Sequence, residues 1–396
     1  MLRATIGATP VRIICILTFF ALTNICLSQV TTFYVHPIQT DPRYEAAQDS
    51  HVVFINTATN IHKLFLFLGG SGSEARQYLA IGTFAASLGF DVISLSYPNA
   101  IPAAVVGGSP DSLAFDKFTQ EVCYGTPLSP FVDVDTLNCI YTRTVNVIRY
   151  LDASYPDQNW DQYLVDSSTL DWSKIAVGGH SQGSGHACYF AKFNEVDRVL
   201  MFSGPNDYSF YYSSPAHWLK VPGVTALNRH YAYLALLDEL VPFDNQLANL
   251  EGLGLFPLHD TVSVDLVSPP YNGSHCLYTT QPPGLAITYH NSTIRLSATN
   301  FAVWTYMLTS DVSTSVQEDV RSDTYILYPN PTHSMVNIQS ESDMLGKRYT
   351  VWNAIGQLVL KGRSEESAII CIDLSSCPAG LYLVRIDNKT LSVIKQ

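Results

Sequence analysis

Gly179-His180-Ser181-Gln182-Gly183 follows an apolar run, Lys174 to Gly178, and opens a segment with helical spacing. A G-x-S-x-G at a strand-to-helix turn is a nucleophile elbow. Small residues at its flanks, Gly179 and Gly183, allow a bend so tight that the serine hydroxyl stands free above the sheet edge. The helix that starts there adds unpaired N–H groups and the positive end of its dipole beside a developing oxyanion. The chemistry these residues suit is acyl transfer, with Ser181 attacking a carbonyl carbon.

A serine needs a base, and the base needs an orienting acid. With this type of elbow the chain order is serine, then Asp or Glu, then His. Asp238 closes the apolar run Tyr231 to Leu237, at the C-terminal edge where catalytic groups of open α/β sheets gather, and is the expected acid. The run Val262 to Ser268 leads into Pro269-Pro270-Tyr271-Asn272-Gly273-Ser274-His275, which makes His275 the expected base. Asp207, just past the run Arg198 to Ser203, and Asp244 are rival acids, and His290 is the rival base. His180 and His186 lie too near Ser181 in sequence to fit the order.

The remaining requirement is a pair of donors for the oxyanion. Leu64 to Leu68 runs into Gly69-Gly70-Ser71-Gly72, and the backbone N–H of Ser71, with Gly70 as its neighbour and rival, is expected to join that of Gln182. Gly70-x-Gly72-x-x-Ala75 also fits a loose dinucleotide fingerprint. That fingerprint needs an acid at the far end of the next strand, and Ser96-Tyr97-Pro98 stands there instead. Without a phosphate-cradling loop, an H-e-x-x-H helix motif or a calcium loop, no cofactor and no metal is expected.

The elements that must position these residues alternate. Strand-like runs at Val52 to Asn56, Lys63 to Leu68, Asp91 to Tyr97, Lys174 to Gly178, Arg198 to Ser203, Tyr231 to Leu237 and Val262 to Ser268 are interleaved with helical patterns. These lie at Ala75 to Leu88, Thr136 to Tyr155, Gly183 to Asn194, Phe243 to Leu253 and Thr299 to Thr309. The alternation implies a mostly parallel sheet with helices on both faces. Two stretches interrupt it, Ile101 to Asp135 and the aromatic Pro205 to His230; the second is expected either to wall the substrate or to pack on the core. At 396 residues the chain is longer than one core usually organises. After a hydrolytic unit over 29–310, a polar linker over 311–325 precedes six short β runs, from Met335 to Gln339 through Leu391 to Ile394, expected to form a small all-β sandwich over 326–396.

Arg3 and Arg12 precede the apolar run Ile13 to Leu22, so residues 1–28 are expected to be an export signal, and no later stretch is apolar for the ~20 residues a membrane span needs. Six cysteines follow that signal, and in an exported chain the close pairs Cys123 with Cys139 and Cys371 with Cys377 are the expected disulfides. A net charge of −12 argues against nucleic acid and anionic membrane surfaces as partners. A small-molecule or polymer ester is the expected substrate. A peptidase with the same triad and a non-catalytic surface binding protein are the alternatives.

Two resemblances add to these observations. Asp171-Trp172-Ser173-Lys174-Ile175 leading into the elbow, with Trp160 upstream, resembles a bacterial α/β-hydrolase family of exported proteins. The resemblance implies the α/β-hydrolase fold and ester-type hydrolysis. Gly69 departs from the pattern, because many relatives carry His or Pro before the second glycine. Tyr328-Pro329-Asn330-Pro331, Val351-Trp352-Asn353-Ala354-Ile355-Gly356-Gln357 and Pro378-Ala379-Gly380-Leu381-Tyr382-Leu383-Val384 are similar to the type A sorting domain of the type IX secretion system. That similarity implies passage through the outer membrane by the type IX machinery, with release or attachment at the cell surface.

Overall fold

The computed structural model of the chain describes residues 30–255, 260–282, 288–310, 325–340, 344–353, 357–364, 366–367, 369–386 and 389–396. The expected export signal, and the expected linker apart from residue 325, lie outside the described residues.

The first unit is built on one nine-stranded sheet. Its strands, with the short hairpin β7–β8 that stands apart from it, are β1 (Val30–Val35), β2 (His51–Asn56), β3 (Leu64–Leu68), β4 (Asp91–Leu95), β5 (Ile175–His180), β6 (Arg198–Phe202), β7 (Tyr208–Ser209), β8 (Ser214–Pro215), β9 (His230–Ala235), β10 (Thr261–Ser263) and β11 (Cys276–Thr279). The sheet order is β1-β2-β4-β3-β5-β6-β9-β11-β10. β2 pairs antiparallel with both β1 and β4, and every other neighbour is parallel.

A parallel sheet must be covered on both faces, and β3 shows how the sequence arranges it. Strand side chains alternate between faces, so Leu64, Leu66 and Leu68 enter one hydrophobic cluster and Phe65 and Phe67 the other, all fully buried. The leucine face is covered by α3 (Ala114–Tyr124), α4 (Ile140–Ser154), α5 (Gln182–Phe193) and α7 (Phe243–Leu253), which contribute Phe118, Ile148, Phe190 and Leu250. The phenylalanine face is covered by α2 (Leu79–Ser87) and α8 (Ala298–Thr309), through Phe84 and Trp304. Each such side chain stabilises the fold by about 1.5–3 kcal/mol when buried. Two helices of four residues, α1 (Pro37–Thr40) and α6 (His217–Lys220), also belong to this unit. The strand order and the helices on both faces are those of the α/β-hydrolase fold.

Three departures from expectation matter. β1 was not expected, and Ile101 to Asp135 is not merely loop but contains α3, whose apolar spacing at Phe115, Phe118 and Val122 faces the core. The expected strand Val262 to Ser268 is a three-residue edge strand, β10, and the parallel strand inside it is β11.

Residues 325–396 carry two antiparallel sheets. β12 (Ile326–Tyr328), β13 (Met335–Gln339) and β16 (Ile369–Asp373) form one, and β14 (Arg348–Asn353), β15 (Leu358–Arg363), β17 (Gly380–Ile386) and β18 (Lys389–Lys395) the other. Val336, Ile338, Ile370 and Ile372 of the first share a core with Val351, Val384 and Ile386 of the second. All six described cysteines are free, which corrects both expected pairs. Cys371 projects outward from β16 between the buried Ile370 and Ile372, while Cys377, in the turn after that strand, is buried in the core. Cys139 instead caps α4, its Sγ accepting from the N–H of Thr142.

Candidate active site

Ser181 sits between β5 and α5 with φ 55° and ψ −124°, a backbone conformation that L-residues avoid at a cost of about 1–3 kcal/mol. Close packing maintains it. A Cβ on Gly179 would lie 2.1 Å from the carbonyl oxygen of Gly183, and one on Gly183 would lie 2.1 Å from that of Leu68. The Ser181 N–H donates to the Phe202 carbonyl of β6 at 2.9 Å. The Ser181 carbonyl accepts from both the N–H and the hydroxyl of Ser184.

The donors of the expected oxyanion hole can be sorted by what already uses them. The Gly70 N–H is taken by the Tyr78 hydroxyl at 2.7 Å, and that of Gly72 by the Asn99 carbonyl at 2.9 Å. The N–H of Ser71, between them, and that of Gln182, first residue of α5, meet no acceptor among the described residues. The loop is held against the elbow: the Ser71 hydroxyl donates to Gln182 Oε1 at 2.6 Å, and the Ala103 N–H donates to the same oxygen at 2.8 Å. The Gln182 amide is steadied in turn by His186 Nε2 at 3.3 Å. Gly70 passes so near the nucleophile that a Cβ there would lie 3.0 Å from Ser181 Cβ.

Asp238 stands beyond the C-terminal end of β9. One carboxylate oxygen accepts the N–H groups of Leu240 (3.0 Å) and Val241 (2.9 Å). The other accepts Gln246 Nε2 at 3.1 Å and His290 Nδ1 at 2.7 Å. A carboxylate can only accept, so Nδ1 carries the hydrogen and Nε2 of His290 is left with its lone pair. His290 lies after β11, in the turn Tyr289–Ile294 that precedes α8. Its carbonyl is fixed by His180 Nε2 at 3.0 Å and by the Ser203 hydroxyl at 2.6 Å. Burial pulls His180 and His186 down to about 3, so both stay neutral supports at physiological pH.

His275 is not part of this arrangement. It immediately precedes β11, at the N-terminal ends of the parallel strands, where its Nδ1 meets the His230 carbonyl at 2.9 Å and its ring stacks on Tyr231 at 4.4 Å. Ser181 and Asp238 are at the opposite ends of those strands, roughly 15 Å or more away at about 3.3 Å per residue. The difference follows from the strand: once Cys276–Thr279 is the last strand of the sheet in chain order, the loop leading into it lies at the opposite edge from Ser181 and the loop leaving it carries His290. The rival acids are also elsewhere occupied. Asp207 is fully buried and accepts from Trp218 Nε1 at 2.8 Å, and Asp244 is exposed in the first turn of α7.

Ser181, Gln182, Ser71 and His290 line one cleft of about 490 Å³, whose lining also includes Tyr208 and Phe210 of the aromatic insert. Within the insert Trp218 packs into the core against Tyr189, while Phe210 remains exposed at the cleft wall. Among the described residues, no Asp, Glu, Lys or Arg lines the cleft.

Residues 326–396 match the family of secretion system C-terminal sorting domains. This tail marks the chain for type IX export, to the cell surface or the medium, and no helix among the described residues is long and apolar enough to cross a membrane. No curated protein matches the chain in sequence. Among solved structures it is similar to TT1662 from Thermus thermophilus, at 15% identity over 71% of this chain and 99% of that one, with a TM-score of 0.38. A bacterial heroin esterase is similar at 14% identity over 72% and 84%, with a TM-score of 0.35. EstE5 is similar at 12% identity over 46% of each chain, with a TM-score of 0.25.

Proposed function

We propose that this α/β-hydrolase cleaves carboxylic esters through Ser181 as nucleophile, His290 as general base and acid, and Asp238 as the group that orients the imidazole. The observation that carries this is the 2.7 Å bond between His290 Nδ1 and Asp238, with His290 and Ser181 in the wall of the same cleft. Ser181 Oγ attacks the carbonyl carbon as its proton passes to His290 Nε2, and the N–H groups of Ser71 and Gln182 receive the oxyanion. His290 then gives that proton to the departing alcohol, leaving an acyl-enzyme. A water molecule repeats the attack with His290 as base, the bond to Oγ breaks, and the serine regains its hydrogen.

The described lining of the cleft is apolar or neutral apart from histidine, which favours neutral esters, because a charged acyl or alcohol group would be desolvated against it without a partner. The test is turnover of a p-nitrophenyl ester series beside aminoacyl amides. Ester hydrolysis that vanishes in Ser181→Ala supports the assignment. Full activity in that variant, or faster amide than ester cleavage, refutes it.

A further inference from the structure

We infer that Asn206 is a further catalytic residue, a side-chain donor to the nucleophile itself; this rests on the serine-hydrolase reading above. Asn206 Nδ2 donates to Ser181 Oγ at 2.9 Å. The other end of the amide, Oδ1, is buried and accepts no hydrogen bond from the described residues. Among the described residues, the one bond that aims the amide ends on the reacting oxygen.

The segment that presents Asn206 is firmly held. The Pro205 carbonyl accepts Asn249 Nδ2 at 2.8 Å, the Asn206 carbonyl accepts the Tyr208 N–H at 2.9 Å, and the next side chain, Asp207, is anchored by Trp218. A Cβ on Gly204 would come within 2.0 Å of Ser184 Oγ and 3.0 Å of Asn206 Oδ1, so the chain passes tightly behind the elbow.

One lone pair of Oγ is occupied by the amide N–H, which leaves the other for attack and the hydroxyl hydrogen for His290. As the proton departs, charge grows on Oγ and the bond becomes charge-assisted, roughly twice as strong as between neutral groups. The same N–H meets Oγ again when it leaves the acyl carbon. This differs from the role of Ser71 and Gln182, whose N–H groups face the substrate's carbonyl oxygen.

The test compares Asn206→Leu and the isosteric Asn206→Asp with the wild-type full chain, using p-nitrophenyl esters and counting sites by fluorophosphonate titration. Expected is a roughly 10- to 100-fold loss of kcat per titrated site, the range of one hydrogen bond to a charged group, with KM within about twofold and labelling slowed in parallel. Counting sites separates catalysis from folding, and if Asn206→Leu yields no titratable protein the Asp variant decides. Wild-type kcat per site in either variant, or a change in KM alone, overturns the role of Asn206. A wild-type chain that neither labels nor turns over ester overturns the serine reading beneath it.

Discussion

His290 Nδ1 and Asp238 Oδ2 meet at 2.7 Å across 52 residues of chain, and both side chains are nearly sealed from solvent. Three further donors, from Leu240, Val241 and Gln246, saturate the carboxylate. The imidazole therefore has a fixed tautomer as well as a fixed place. Asp238→Asn, which presents either an amide N–H or a weaker acceptor to Nδ1, is expected to lower kcat by roughly 10³- to 10⁴-fold with the fold intact. Steady-state kinetics beside a thermal melt check both parts.

The two histidines that competed for the role of base should separate cleanly. His290→Ala is expected to remove at least roughly 10³-fold of kcat, and to add little to the loss in Ser181→Ala, because residues acting as a unit are not additive. His275→Ala, at the other end of the strands, should leave kcat within about twofold and cost only the stability of its stack on Tyr231 and its bond to the His230 carbonyl. Reversal of these two results would return the base to His275.

Elbow glycines should matter for stability before chemistry. Gly183→Ala would drive a methyl to 2.1 Å from the Leu68 carbonyl oxygen and 2.6 Å from that of Gly69, neither of which can turn aside. A loss of roughly 3 kcal/mol or more in a urea melt, or failure to fold, is expected. Gly72→Ala meets nothing within 4 Å and has only its φ of +65° against it, so about 1 kcal/mol is expected there.

Asp207 gives the fold a pH dependence of its own. Burial pushes its carboxyl up to about 7, in spite of donors from Trp218 and Thr119. Its unfolded value is about 3.9. Between those values the folded chain keeps a proton that the unfolded chain has released, so this group's effect is to lower stability as pH rises from about 4 towards 7. Asp207→Asn cannot ionise, and its Tm should therefore fall less than the wild type's between about pH 5 and pH 8, a difference on the order of a few kcal/mol at most. Parallel slopes would contradict the burial effect.

How much of the site was legible depended on how local each feature is. The elbow is written in five consecutive residues, because its geometry is set by the glycines at its flanks and the strand and helix they join. The glycine loop after β3 was legible for the same reason, but the choice of Ser71 over Gly70 as the free donor needed the Tyr78 hydroxyl, which no spacing announces. The histidine that meets Asp238 was harder to place, because its position depends on which short run is the last strand of the chain's sheet. Cys276-Leu277-Tyr278-Thr279 is only four residues and follows a histidine that looked well placed, whereas β10 upstream looked longer than it is. The usable signal was positional: a base must leave the last strand before the final helix, and His290 alone lies between Thr279 and Ala298. Asn206 gave no signal at all, being a polar residue in a loop until the fold carries it to Ser181.

The most direct test is mass spectrometry of the chain after reaction with a fluorophosphonate. Catalysis by Ser181 with His290 as base predicts a single adduct on the peptide that contains Ser181, absent in Ser181→Ala, strongly slowed in His290→Ala and formed at the normal rate in His275→Ala. An adduct that persists in Ser181→Ala, or a folded wild-type chain that forms none, would contradict it.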